Sequence, residues 1–451
     1  MIARLVRFFD ERLGAAPALQ KTLRYVFPDH WSFMLGEIAL YCFVVLVATG
    51  IFLTFYYEPS SADVVYRGSY GPLQGQVVGA QYNSVLGIVF DVPAGNLIRQ
   101  THHWAADLFV VAIVLHLLRI VLTGAYRKPR ELNYVVGVTL LGLAILEGFL
   151  GYSLIDDLLS GMGLVIAYSV ALSIPVVGAA FAVLVWGAPY PGSDSFWPRL
   201  EIFHVLVIPV LIAALLALHL TQIVRQHHTQ FPGAGGDERR AFGSPLWPSY
   251  ALRSIGLMLA TAAVLFLLGG LVQINPIWEW GPYDTYVSSN GAQPDWYLGW
   301  LIGALRLMPP LEVTVGGYTL IPNPFFGGAL FPMVVFAVLY AWPLIGRRWF
   351  DDRRAHNLLE RPRENPRRTA AAVAFLSWVG VVFAAGSIDR VYYQALIPYE
   401  ALVWVFRAAT IVVPVVVYLL VKRVCEELGR TGVRPLRGWD GEPVRPPLRR
   451  E

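Results

Sequence analysis

Eight stretches of the chain, at about residues 34–56, 105–122, 134–155, 202–223, 252–274, 326–345, 370–385 and 401–421, are each apolar over a length that crosses a bilayer. No other property restricts the fold as much, because roughly 20 consecutive apolar residues form a transmembrane helix. Composition agrees: 56% of the 451 residues are hydrophobic and 15% are charged, against roughly 25% charged in soluble domains. A ninth apolar stretch, 163–185, is broken by Ser173-Ile174-Pro175 and by Gly178. It is expected to form surface-lying or re-entrant helices. The expected fold is an all-α integral membrane protein with eight transmembrane helices.

Basic residues in short loops set orientation. They gather at the N-terminus (Arg4, Arg7, Arg12, Lys21, Arg24), in Arg127-Lys128-Pro129-Arg130, over 225–240 and 347–368, and at the C-terminus. The connectors 57–96, 156–198, 275–323 and 387–399 are poor in them. The two sets alternate as eight crossings require, which places both termini in the cytoplasm. The sequence pI near 9.0 then reflects topology, and nucleic-acid binding is not expected. Residues 1–29 hold no apolar segment adequate for a cleavable signal and read as an amphipathic helix on the cytoplasmic face. Cys42 and Cys425 sit too far apart along the fold for a disulfide, and neither alone suggests a metal site.

Ionisable side chains inside a bilayer are costly and need partners, so four histidines stand out. His102 and His116 are 14 residues apart, nearly four helical turns, which puts both on one face about 21 Å apart. His204 and His219 are 15 apart, leaving their side chains about 60° from each other on one broad face. Neutral imidazole is a common axial ligand of haem iron. Paired helices carrying these residues could hold one haem near each membrane surface. A single such histidine would serve equally to cap a polar contact or face a cavity. His103 points about 100° away from His102 and is not expected to be a ligand. His30, His227, His228 and His356 lie in or beside loops.

Glycines give an independent check. Gly36 and Gly50, and Gly137 and Gly151, repeat the 14-residue interval on the two neighbouring apolar runs that lack the histidines. Glycine pairs alone signal close helix packing. Their match to the histidine period suggests a four-helix bundle notched to clasp two haems at matching depths.

The ordered set of motifs resembles the cytochrome b subunit of cytochrome bc-type (bc1/b6f) quinol:cytochrome c oxidoreductases over nearly the whole chain. The likeness is carried by Arg99-Gln100-Thr101-His102, Leu115-His116-Leu117-Leu118-Arg119, the glycine pairs, Phe149-Leu150-Gly151-Tyr152, His204 with His219, and Pro294-Asp295-Trp296-Tyr297, similar to the family's Pro-Glu-Trp-Tyr. The resemblance implies that His102 and His204 bind a low-potential haem near the outer face, and His116 and His219 a high-potential haem near the cytoplasm. Arg99 and Arg119 would pair with haem propionates, or else snorkel to the interfaces.

The outer quinol site implied comprises Pro294, Asp295, Trp296, Tyr297, Tyr152 and the short helices near 163–185. Asp295 is the expected proton acceptor and shuttle, one methylene shorter than the family's glutamate; a helix N-cap is its other reading. Arg225, His228 and Asp237, with Gln222 nearby, are candidates for a cytoplasmic quinone site, although this loop also reads as a plain basic connector. The implied activity is a Q cycle. One electron leaves for a Rieske iron-sulfur protein and a cytochrome c or c-type cytochrome subunit. The other crosses two non-covalent b-type haems to reduce quinone and move protons. A homodimer of complexes and contact with a terminal oxidase are further expectations, in a bacterial plasma membrane.

Departures refine the likeness. The 15-residue offset and the stretch 123–132 look like the photosynthetic branch, but Met34 replaces that branch's haem-tethering cysteine, so no covalent haem is expected. Ser153-Leu154-Ile155-Asp156-Asp157 and Ser173-Ile174-Pro175-Val176-Val177-Gly178 are similar to actinobacterial members, which implies menaquinone as substrate. The expected division is a segment 1–33, a di-haem four-helix domain 34–230 with short helices at about 160–190, a four-helix region 231–425 with the quinol-site loop 275–325, and a tail 426–451. Two alternatives remain: a di-haem membrane anchor of a dehydrogenase or hydrogenase, and a polytopic transporter.

Overall fold

The computed structural model describes residues 8, 10–12, 14, 16–233, 237–238, 241–287, 294–349 and 354–430. Arg4, Arg7 and the tail from 431 onward, which the expected termini include, lie outside the described residues. Among the described residues, eight helices are long and apolar enough to cross a membrane. They are α1 Met34–Thr54, α2 Gly95–Thr123, α3 Glu131–Ser153, α4 Phe196–Gln226, α5 Ala251–Leu271, α6 Phe331–Trp349, α7 Pro366–Ala385 and α8 Tyr399–Arg430. Large apolar side chains such as Val210, Leu211, Ile411 and Val412 stay exposed on their outer faces. Lipid is the solvent that makes such a surface stable.

α1 packs along α2, α2 against α3, α3 against α4, and α4 returns to α1, so the first four helices close into a bundle. α5 lies on α1 and α2, α6 on α3, and α7 on α2, while α8 pairs with α7. The ninth apolar stretch forms two helices, Leu158–Ser173 and Gly178–Trp186, each shorter than a crossing. Asp157 caps the first by accepting from Ser160 N at 2.8 Å.

Two spans differ from their expected form. α2 begins at Gly95, about ten residues earlier than hydrophobicity suggests, because its polar first turns find tertiary partners. Gln100 pairs its amide with both Ile274 N and Ile274 O at 3.0 Å, and Arg99 donates to Asn275 O at 3.3 Å. In α4, Phe203–Val207 is a π turn, in which Ile208 N–H reaches back five residues to Phe203 O. Pro209, just beyond, lacks the N–H that a regular helix would direct at residue 205. The extra residue is absorbed there, so the 15-residue interval between His204 and His219 does not misalign them.

The basic-poor connectors meet at one end of the bundle. Leu158 N bonds Gly281 O and Tyr283 N bonds Asp156 O, each at 3.0 Å, and Tyr82 donates to Ile277 O. A short antiparallel pair, Asp63–Val65 with Val77–Gly79, lies in the first connector. At the opposite end, Val26–Phe27 pairs with Ser244–Pro245. There the arginines do more than mark topology. Arg127, Arg130 and Arg368 are buried. Arg127 and Arg368 share Glu360, each at 2.5 Å, while Arg130 donates to Gln226 O, His227 O, His356 O and Asn357 Oδ1. The guanidinium groups are buried and Glu360 is 31% exposed, so losing Glu360 would leave two buried charges short of a partner, and this knot fastens the loops after α2, α4 and α6.

Asp156 supplies a pH-dependent element in the other set of loops. Burial raises its carboxyl from an ordinary 3.8 to about 7, although the Gln81 amide donates to it. Between those values the folded chain keeps a proton that the unfolded chain has released, so stability falls as pH rises toward 7. Asp156→Asn is expected to be more heat-resistant than the parent at pH 8 and to lose that advantage at pH 4. Thermal midpoints of the purified complex at the two pH values check this; a constant gap would rule out Asp156 as the source.

Candidate functional site

Each histidine of α2 meets one of α4 across the bundle. The ring centroids of His102 and His204 are 6.2 Å apart with planes at 80°, and those of His116 and His219 are 6.5 Å apart at 74°. Two imidazole–metal bonds of about 2 Å each, together with the half-widths of two rings, span such a distance. The tautomer is set at His102: Thr49 Oγ1 donates to Val45 O at 2.6 Å and so accepts from His102 Nδ1–H at 2.9 Å. Nε2 is left as the basic nitrogen, the usual arrangement for a ligating histidine.

The four glycines pair one to one with the four histidines. A Cβ on Gly36 would lie 3.1 Å from His116 Cε1, on Gly50 3.3 Å from His102 Cε1, on Gly151 2.5 Å from His204 Cε1, and on Gly137 3.7 Å from His219 Cε1. Each notch therefore faces the imidazole ring of one histidine. Orphaned donors complete the picture. Arg99 Nη1 and Arg119 Nε and Nη2 are buried without hydrogen-bond partners among the described residues, and the Arg119 guanidinium sits 4.3 Å over the Phe33 ring. Uncompensated guanidinium donors beside two facing imidazole pairs suit a bound group that carries carboxylates and a metal. Haem fits these residues.

At the end where the basic-poor connectors meet, Asp295 holds the N-cap position of the short helix Trp296–Leu298, and its side chain makes no capping hydrogen bond there. Its Oδ1 lies 2.9 Å from His103 Nε2, and its Oδ2 accepts from the Tyr297 hydroxyl at 2.9 Å. Burial pushes this carboxyl up, but His103 and these hydrogen bonds outweigh it and hold it below the usual carboxylate range. Tyr297 is in turn seated on Gly148, where a Cβ would fall 2.6 Å from its hydroxyl oxygen. Tyr152 is buried with an unpartnered hydroxyl, Trp296 is partly exposed, and Pro294 enters the same turn.

The candidates at the basic end have unlike surroundings. Arg225 and Asp237 are exposed. His228 is enclosed, its ring 4.6 Å from Phe27 and 5.8 Å from Tyr25, and its Nε2 has no partner. Burial, then Arg130, lowers its pKa to about 4, so it is neutral.

Sequence reasoning passed over His103, Asp107 and Glu147. His103 was set aside because it faces away from His102, and that direction is what takes it to Asp295. Asp107 and Glu147 lie inside α2 and α3, and Glu147 Oε1 approaches His204 Nδ1 at 3.0 Å without hydrogen-bond alignment. A carboxylate within an apolar run was the available signal.

Residues 107–282 match the family model described as Cytochrome b(N-terminal)/b6/petB. The "Cytochrome bc1 complex cytochrome b subunit" of Mycobacterium tuberculosis is 43% identical over 96% of this chain and 78% of its own. The proteins of that name in Streptomyces coelicolor and Corynebacterium diphtheriae are 41% and 42% identical, each over 95% of this chain and over 78% and 79% of their own lengths. The chain belongs to the family of cytochrome bc1 complex cytochrome b subunits. A solved chain of a "Hyperthermophilic respiratory Complex III" superposes with a TM-score of 0.69 at 20% identity, covering 93% of this chain and 99% of that one, and so shares the fold. As a cytochrome b the chain is a multi-pass membrane protein of a family that carries haem.

Proposed function

We propose that this cytochrome b subunit oxidises a quinol at the end of the bundle that holds Asp295, as part of a quinol:cytochrome c oxidoreductase. Two layers of facing histidines, His102 with His204 and His116 with His219, carry the reading. Each pair would hold one non-covalent b-type haem, low-potential in the first layer and high-potential in the second. When bound, the haems supply one-electron carriers across the hydrocarbon core. Arg99 and Arg119 would meet their propionates through the orphaned guanidinium nitrogens.

Oxidising a quinol to a quinone releases two electrons and two protons. Asp295 is ionised and can accept a proton from a quinol hydroxyl, Tyr297 fixes its second oxygen, and the free Tyr152 hydroxyl can orient the ring. Pro294 and Trp296 shape the approach. One electron passes to a Rieske iron-sulfur protein and on to a cytochrome c or c-type subunit; the other crosses the bundle to a quinone at the basic end. There the neutral His228 can hydrogen-bond a quinone oxygen, with Arg225 and Asp237 at the loop surface. Menaquinone is the proposed substrate. Both termini are taken to face the cytoplasm of a bacterial cell, and the complex is proposed to be a dimer with a terminal oxidase among its partners.

A di-haem anchor would use the histidines but leave the Asp295 arrangement without a role. The deciding experiment is a redox-titrated visible spectrum of the purified complex beside its His116→Ala variant. Two b-type transitions, with the higher-potential one lost in the variant, are expected. Absence of haem absorption from the parent, in preparations made without haem loss, would refute the reading.

A further inference from the structure

Both oxygens of Asp295 carry a hydrogen bond, and each keeps a second lone pair that can take a proton. One binds His103 Nε2 and the other the Tyr297 hydroxyl, both at 2.9 Å. His103 and Asp107 stand four residues apart in α2, on one helical face, and ligand atoms of His103, Asp107 and Asp295 all lie within 4.8 Å of one another. Asp107 Oδ1 is buried and has no hydrogen-bond partner among the described residues. Turning the Asp295 carboxylate away would break two hydrogen bonds to a charged group, and each such bond typically shifts an equilibrium about tenfold or more. It would also strand a half-buried imidazole beside Asp107.

We propose that His103, seated with Asp107 on α2, is a positioning residue that clamps the Asp295 carboxylate, so that this subunit takes the quinol proton on a static acceptor. The proposal rests on the quinol-oxidation reading above. A short side chain suits it: aspartate has one fewer rotatable bond than glutamate, and the clamp supplies from α2 the placement that a longer arm would find by rotation.

The test uses the intact complex, a short-chain naphthoquinol and a soluble cytochrome acceptor, with the visible spectrum recorded for every variant. His103→Leu is expected to lower kcat about 10- to 100-fold with KM within about threefold, and His103→Gln, which keeps a donor near Nε2, to recover most of the loss. Asp295→Glu is expected to be slower than the parent, because the longer carboxylate does not fit the clamp. It is expected to be faster in the His103→Leu background than either single change predicts. Equal losses in His103→Leu and His103→Gln, or an Asp295→Glu enzyme faster than the parent, would overturn the clamp. Should His103→Leu lose haem absorption, Asp107→Asn and Asp295→Glu decide instead. A lower kcat at unchanged KM in both supports the proposal, and parental rates in both overturn it. A parent complex with no quinol turnover would refute the broader functional reading and is told apart on that ground.

Discussion

Gly151→Ala is expected to strip the absorption of one b-type haem from the complex, whereas Gly137→Ala leaves both. The two glycines occupy the same helix and the same period, but their neighbours differ. A Cβ on Gly151 would lie 2.5 Å from Cε1, 3.0 Å from Nε2 and 3.2 Å from Nδ1 of His204, so it would strike the whole edge of the ring. Retreat from α3 would move His204 out of its facing arrangement with His102, whose ring centroid is 6.2 Å away. A Cβ on Gly137 would come only to 3.7 Å from His219, an ordinary contact. Occupancy of the outer haem is expected to fall at least tenfold in Gly151→Ala. Reduced-minus-oxidised spectra of membranes with equal subunit content check it; similar losses in both variants would show that the notches do not seat the rings.

Asp295→Asn is expected to lower quinol turnover about 10²- to 10⁴-fold, the range for losing a positioned general base, while both haem signals persist. Asparagine keeps the shape and can still accept from Tyr297, but it cannot take a proton. The loss therefore falls on kcat, with KM nearly unchanged. His103 and the two hydrogen bonds hold Asp295 below the usual carboxylate range, so the parent's rate shows no acid limb from this group above about pH 5. Steady-state rates between pH 5 and 8 test both statements. A variant within threefold of the parent would remove Asp295 from the chemistry.

The spans could be read from the chain because a bilayer demands one local property, apolar length, that leaves its mark residue by residue. Where tertiary partners change the terms, the reading fell short. Arg99, Gln100 and Thr101 precede the apolar run 105–122 in sequence but are buried within α2, where Gln100 borrows the backbone of Ile274. Arg127, Arg130 and Arg368 read from sequence only as a mark of orientation and are buried, because the carbonyls and carboxylate that receive them come from segments more than 90 residues away or from the far side of the 356–368 loop. His103 could not be paired with Asp295 from sequence, since 192 residues separate them. The glycine and histidine periods, in contrast, needed only helical geometry to be matched.

The π turn at Phe203–Val207 changes what a ligand interval measures. Counted in residues, His204 to His219 is one longer than His102 to His116; counted in hydrogen-bonded turns the two helices agree, because one wide loop of backbone stores the surplus. An insertion held next to a proline costs the ligands no alignment, so a cofactor scaffold of this kind can gain a residue in one wall while its metal-binding geometry is inherited unaltered.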